Sequence, residues 1–220
     1  RSIWVTGVQT CALPIDAGVT APLMIMKGDG GVTNMDTFKT KPILTILSGP
    51  AASVAGALLH LKVTNGIFVE VGGTSTNICI IKNGRPEIRY VTIKDHPTCI
   101  RSMDVRILGV AGGSMLKIKD RRVWKVGPRS AHIAGMRYAC FAEHDTLKTG
   151  KIILVKPKET DADPYVAIQC EGETFAITNT CAANALGMIE KNDYAYADQK
   201  SAKIAMELLG RELGVSGPIW

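Results

Sequence analysis

Two β-forming runs, Ile67–Val71 and Asn77–Ile81, are separated by Gly72-Gly73-Thr74-Ser75-Thr76. No other feature constrains the fold as strongly, because paired glycines between apolar runs dictate a sharp reversal and make the runs antiparallel neighbours. Asn83-Gly84 signals another reversal before the run Glu87–Thr92, so the three runs predict an antiparallel meander. Met115–Lys119 and Val123–Val126 around Asp120-Arg121 predict a further hairpin, with alternation that exposes its basic side chains. Leu23–Lys27 reads as a strand halted by Gly28-Asp29-Gly30-Gly31, and Thr33–Phe38 as a helical turn. Ile43–Leu47 reads as a strand, Ser48-Gly49-Pro50 as a tight turn, and the Ala-rich stretch to Leu61 as a helix. Strands are expected at Lys151–Val155 and Val166–Cys170, with Asp161-Ala-Asp163-Pro164 in the loop between them. Helices are expected at residues 180–189 and 198–213. This mixture is α/β with antiparallel hairpins, unlike the strict alternation of a doubly wound sheet.

Charge narrows the function. Residues 1–150 carry 19 Lys+Arg against 10 Asp+Glu, and residues 151–220 carry 7 against 10, for a net +6. A basic front suits a phosphorylated small molecule as well as a nucleic acid, and only Lys117–Lys125 is dense in cations. A nucleotide is the better expectation, and nucleic acid is set aside. No apolar run reaches the roughly 18 residues of a membrane-spanning helix. The six cysteines form no Cys-x-x-Cys pair, the pattern of scattered thiols in a reducing cytoplasm. The segment Val5–Ile15 resembles a translated sequencing adaptor and is expected to be non-native, which makes the chain a fragment of a protein expected to continue upstream of Asp16.

The chemistry concentrates at Phe68-Val-Glu70-Val-Gly72-Gly73-Thr74-Ser75-Thr76-Asn77-Ile78. A strand carries the carboxylate of Glu70, two glycines make a turn whose amides can face one oxyanion, and Thr74, Ser75 and Thr76 supply hydroxyls. That inventory suits nucleotide phosphates, with Glu70 placed for Mg²⁺ or a Mg²⁺-bound water. The residues fit equally a Gly-rich β-turn without a ligand. Gly112-Gly113-Ser114 offers a second turn of either kind, and Arg129, His132, His144, Asp161, Asp163 and Cys181 have no spacing that marks a site.

Five segments in order, Met26–Gly31, Ser48–Ala51, Glu70–Ile78, Gly109–Ser114 and Gly127–Ser130, resemble the hydantoinase/oxoprolinase family of ATP-dependent hydantoinases, 5-oxoprolinases and acetone carboxylase-type subunits. Thr180-Cys181-Ala182 is a weaker match. The resemblance implies an actin-like ATPase fold of the ribonuclease H type, with a partial nucleotide-binding domain over residues 16–150 and a partial α/β region over 151–220. It implies ATP and Mg²⁺ as cofactors, with Glu70 as the catalytic and metal-orienting carboxylate. Gly72, Gly73, Thr74, Ser75, Thr76, Asn77, Gly112 and Gly113 would bind the nucleotide. It further implies phosphoryl activation of a carbonyl oxygen in a cyclic amide of the hydantoin or 5-oxoproline kind, beside a second, hydantoinase B-like subunit. A fragment with one phosphate hairpin is expected to be inactive alone. Three positions depart from the family pattern. Glu70 and Asn77 stand where aspartates are usual, and Arg106 where a histidine is. The first two leave open a nucleotide-binding regulatory or scaffold subunit without turnover.

Overall fold

The computed structural model describes residues 17, 18 and 20–215; the adaptor-like segment lies outside them. Contacts divide the chain into two units. One comprises the residues up to Phe68 with Ile78–Arg106, the other Val69–Asn77 with the residues from Ile107 onward.

In the first unit β1 (Met24–Met26) and β2 (Val32–Asn34) pair antiparallel. Gly30 takes φ 85° in their turn, a conformation that glycine adopts without steric cost. Asn34 caps α1 (Met35–Thr40) by accepting from the Thr37 amide at 2.9 Å. The expected strand at 43–47 does not form, for Pro42–Thr45 is a 3₁₀ turn and α2 spans Ser48–Leu61. Pro42 opens the 3₁₀ turn and Pro50 sits in the first turn of α2, positions whose amides need no partner within the helix. Ser48-Gly49-Pro50 therefore begins the helix instead of preceding it. Ala51 and Val54 of α2 pack on Cys79 and Met103, with Leu58, Phe68 and Val105 around them.

β3 (Gly66–Val71) and β4 (Thr76–Lys82) are sheet neighbours, and β5 (Arg85–Pro86) follows β4. Asn83 and Gly84, at φ 52° and 70°, make the expected reversal and register Lys82 on Arg85. The third strand of the predicted meander goes elsewhere. β6 (Ile88–Ile93) pairs with β7 (His96–Met103), and β8 (Val105–Leu108) pairs with β4. Pro86 lacks an amide to extend the ladder, which accounts for a β5 of only two residues.

In the second unit β9 (Ser114–Lys119) and β10 (Arg122–Ser130) form the predicted hairpin, with Asp120 and Arg121 at φ 50° and 57°. The expected exposure of its basic side chains fails at Lys117, which is 4% exposed. Its ammonium lies 3.1 Å from Asp163 and over the Tyr165 ring, so burial is compensated by a counter-charge and a π-face.

β11 (Arg137–Tyr138), α3 (His144–Lys148), β12 (Lys151–Val155), β13 (Tyr165–Cys170) and β14 (Glu173–Ala176) follow, and the sheet order is β11-β14-β13-β12. Position 150 thus lies within one unit, since β11 before it pairs with β14 after it. Alternation along β13 sends Val166 and Ile168 into the core with Phe175, Ile177 and Leu209, and Tyr165 into a second cluster with Met115 and Ala131. Each such large apolar side chain contributes about 1.5–3 kcal/mol by leaving water. Two helices complete the unit, α4 (Asn179–Ala185) and the amphipathic α5 (Gln199–Leu213), capped by Asp198 and by Gly214 at φ 69°. α4 is shorter than expected, because Gly187 at φ 70° lies outside the helical region. Among the described residues no helix is long and apolar enough to cross a membrane.

Candidate functional site

Val69–Asn77 and everything that touches it below belong to the second unit. The reversal closes when the Gly72 amide donates to the Ser75 carbonyl at 3.1 Å. Its hydroxyls are turned inward to hold it. Thr76 Oγ1 donates to the Val110 carbonyl at 2.6 Å, and Thr74 Oγ1 lies 3.0 Å from Ser130 Oγ. The Thr76 hydroxyl is therefore engaged as a donor inside the fold, and Thr74 is tied to Ser130. The Gly72 amide is consumed within the turn.

The second glycine turn is stacked on the first. Gly112 N–H donates to the Gly72 carbonyl at 3.1 Å and Gly113 N–H to the Gly73 carbonyl at 2.8 Å. The amides of Gly112 and Gly113 are thus spent on the neighbouring turn. The N-terminus of α4, whose Asn179 and Thr180 also line the cleft described below, supports this stack. Asn179 Nδ2 donates to the Ala111 carbonyl at 2.9 Å, and both the amide and the hydroxyl of Thr180 donate to the Gly112 carbonyl, at 2.8 and 2.9 Å. Thr180 of the weak Thr-Cys-Ala match is therefore a positioning residue, whereas Cys181 is fully buried with Cys140 in the core. The adjacent Cys181 sulfur and burial push the Cys140 thiol up.

The glycines differ sharply in what surrounds them. A Cβ on Gly113 would lie 2.1 Å from the Tyr138 hydroxyl and 2.6 Å from the Gly73 carbonyl, and one on Gly112 2.9 Å from Thr180 Oγ1. A Cβ on Gly73 would meet only the Tyr138 hydroxyl, at 3.9 Å, and φ of Gly73 lies outside the left-handed region. Nothing inside the fold requires glycine at 73.

The two turns form one wall of a cleft of about 1070 Å³, lined by Gly72, Gly73, Thr74, Thr76, Gly112 and Gly113. The lining also includes Tyr138, Phe141, Ala183, Ile189 and Tyr194, with His132 and Arg137 as polar members. That volume matches a small-molecule site. Arg137 is tied to Glu173 at 3.0 and 3.1 Å. Sequence reasoning missed the aromatic walls entirely, since Tyr138, Phe141 and Tyr194 have no spacing in common with the glycine turns. His132 lines the cleft, whereas Arg129 and Asp161 form an ion pair outside its lining, with Arg129 Nε 3.3 Å from Asp161 Oδ2. The Arg129 guanidinium holds the Asp161 carboxyl below its ordinary range.

Glu70, Ser75 and Asn77 are not among the residues lining the cleft. At the root of the hairpin Asn77 Nδ2 donates to Glu70 Oε2 at 2.8 Å, while Asn77 Oδ1 is buried without a hydrogen-bond partner. An amide facing Glu70 avoids the repulsion that a second carboxylate would bring there. Among the described residues no group of three His, Cys, Asp or Glu side chains is placed to ligate a metal. What the residues do fit is phosphate, through a backbone approach at Gly73 that a Cβ would fill. Glu70, the carboxylate expected to hold Mg²⁺, lies off the cleft lining and against Asn77.

Comparison with known proteins bears on the fold and the family. The chain is 27% identical over 201 residues to the caprolactamase alpha subunit of Pseudomonas jessenii, covering 90% of this chain and 26% of that one. It superposes on nucleotide-free acetone carboxylase with a TM-score of 0.68 at 19% identity, over 94% of this chain and 26% of that one. The chain therefore spans about a quarter of the length of these relatives, and its mixed α/β architecture is that of the actin-like ATPase fold. The hydantoinase/oxoprolinase family model matches residues 15–218, and the chain belongs to that family.

Proposed function

We propose that this chain is the nucleotide-binding part of an ATP-dependent enzyme that activates the carbonyl of a cyclic amide for ring opening. Gly73 carries the proposal: a glycine on a cleft wall, with neither backbone conformation nor packing to require it, leaves room for ligand atoms against the main chain. The amides of Gly73 and Thr74 present donors to phosphate oxygens, held in place by the Thr74, Thr76 and Gly113 hydrogen bonds. Tyr138, Phe141 and Tyr194 supply apolar faces for a base. Glu70 would hold Mg²⁺ or its water, and Asn77, which donates to Glu70 Oε2, would fix the carboxylate. ATP supplies the phosphoryl group that turns a carbonyl oxygen into a leaving group, chemistry that asks the protein chiefly for positioning and charge neutralisation.

The relatives are named as a lactamase subunit and an acetone carboxylase. They support a cyclic amide as substrate, with acetone-type carboxylation as the other family chemistry, and a hydantoinase B-like partner subunit. The five free cysteines among the described residues suit the cytoplasm. A second reading, a regulatory or scaffold subunit that binds nucleotide without turnover, is favoured by the uncharged Asn77 against Glu70.

Titration of the complete enzyme with mantATP, beside phosphate release in the presence of hydantoins and lactams, separates the two. Binding with substrate-dependent release supports the first. Binding without release under every cyclic amide tested supports the second, and absence of binding sinks both.

A further inference from the structure

Resting on the nucleotide reading above, we infer that the Tyr138 hydroxyl is the side-chain donor that completes the phosphate cradle at Gly73. The residue stands at the end of β11, registered on Ala176 of β14. Its ring is packed against both clusters of the second unit and tilted at 40° to Phe141, with centroids 5.8 Å apart. The phenol is thus held by its surroundings and is not a surface side chain free to swing. Its oxygen reaches the place where the two glycine turns meet. A Cβ on Gly113 would overlap it, and it is the sole atom within 4 Å of a Cβ on Gly73. The space left open by Gly73 is therefore the space the hydroxyl faces.

Hydrogen-bond accounting gives the same answer. Thr76 donates its hydroxyl to Val110 and Thr74 shares a hydrogen bond with Ser130, and none of the hydrogen bonds that build the site uses the Tyr138 hydroxyl. A largely enclosed phenol ordinarily finds a partner, and here the cleft is where one would come from. Burial pushes the phenol above its ordinary value, so it stays protonated at neutral pH and acts as a donor. A neutral donor beside two amides suits a phosphate oxygen and adds no charge that an apolar wall would have to accommodate.

The test compares wild type with Tyr138→Phe, which removes one oxygen and keeps the ring. Fluorescence titrations with mantATP and with mant-labelled adenosine are run on both, alongside thermal melts. Loss of about tenfold in mantATP affinity is expected, the size of one hydrogen bond to a charged group, with adenosine affinity and melting temperature unchanged. Equal weakening of both ligands, or no change in mantATP, overturns the inference while the nucleotide reading stands. A wild type that binds neither ligand overturns both. If Tyr138→Phe fails to fold, Tyr138→3-fluorotyrosine keeps the shape and ionises at lower pH. Its mantATP affinity then falls at mildly alkaline pH where that of wild type is level, and coincident pH profiles overturn the inference.

Discussion

Gly72-Gly73 and Gly112-Gly113 are the same dipeptide in two stacked turns, and their surroundings are opposite. At Gly113 the fold closes on the Cα, with the Gly73 carbonyl and the Tyr138 hydroxyl inside the volume of any side chain. At Gly73 the space is open and faces the cleft. One glycine is fixed by packing inside the protein, and the other is left for something outside it. The lesson is that a paired glycine acquires its meaning from what lies within 4 Å of the absent Cβ, which adjacent residues do not reveal.

The strongest way to break this comparison is Gly113→Ala. The methyl group must displace backbone at Gly73, so a loss of about 3 kcal/mol is expected, measured by urea denaturation. A variant as stable as wild type would show that the turns do not stack as described. Gly73→Val should do the reverse, leaving stability within about 1 kcal/mol while lowering mantATP affinity about a hundredfold, through a branched side chain in the ligand's space. Unchanged affinity there would remove the ligand from this wall.

A smaller effect sharpens the packed side. Arg129 follows Pro128, which packs on Gly109 of the second turn, and it binds the Asp161 carboxylate. Because the folded-state pKa of Asp161 is lowered, the pair stabilises above the unfolded value of about 4 and loses its contribution as pH falls through the folded value. Asp161→Asn should cost about 1–2 kcal/mol at pH 7. The gap from wild type, followed by thermal melts, should begin to narrow below about pH 4 and go on narrowing as the carboxylate is protonated. A gap that does not narrow at all on acidification would mean that the ion pair is not what holds this loop.

Local chemistry made several elements readable in advance. Asn83-Gly84 and Asp120-Arg121 reverse the chain as their turn preferences dictate, with positive φ at all four residues. Asp198 and Gly214 bound α5 as caps. Reading failed where partners distant in sequence decide. Ile88–Ile93 had the alternation of a strand but not the address of its partner, and it pairs with His96–Met103 instead of the meander. Lys117 alternates as an exposed cation but is buried, because Asp163 and Tyr165 meet it from 46 and 48 residues away. Pro42 and Pro50 were visible, yet a short apolar run between helices has no period that separates strand from 3₁₀ turn.

The candidate site divides in the same way. The residues of the first turn were legible because a strand, two glycines, three hydroxyls and a carboxylate are contiguous, and their order resembles the family to which the chain belongs. Their individual roles were not. Which hydroxyls are spent, which amides are consumed by the neighbouring turn, and why Glu70 meets Asn77 depend on hydrogen bonds between segments 7 to 68 residues apart. The sequence by itself determined the reversals, the helix caps and the family, since these rest on backbone preferences and side chains acting within a few residues. Only the tertiary structure decided that Gly113 is enclosed, that Gly73 is open, and that Tyr138 stands between them, because burial and the partners of polar groups are properties of space and not of order along the chain.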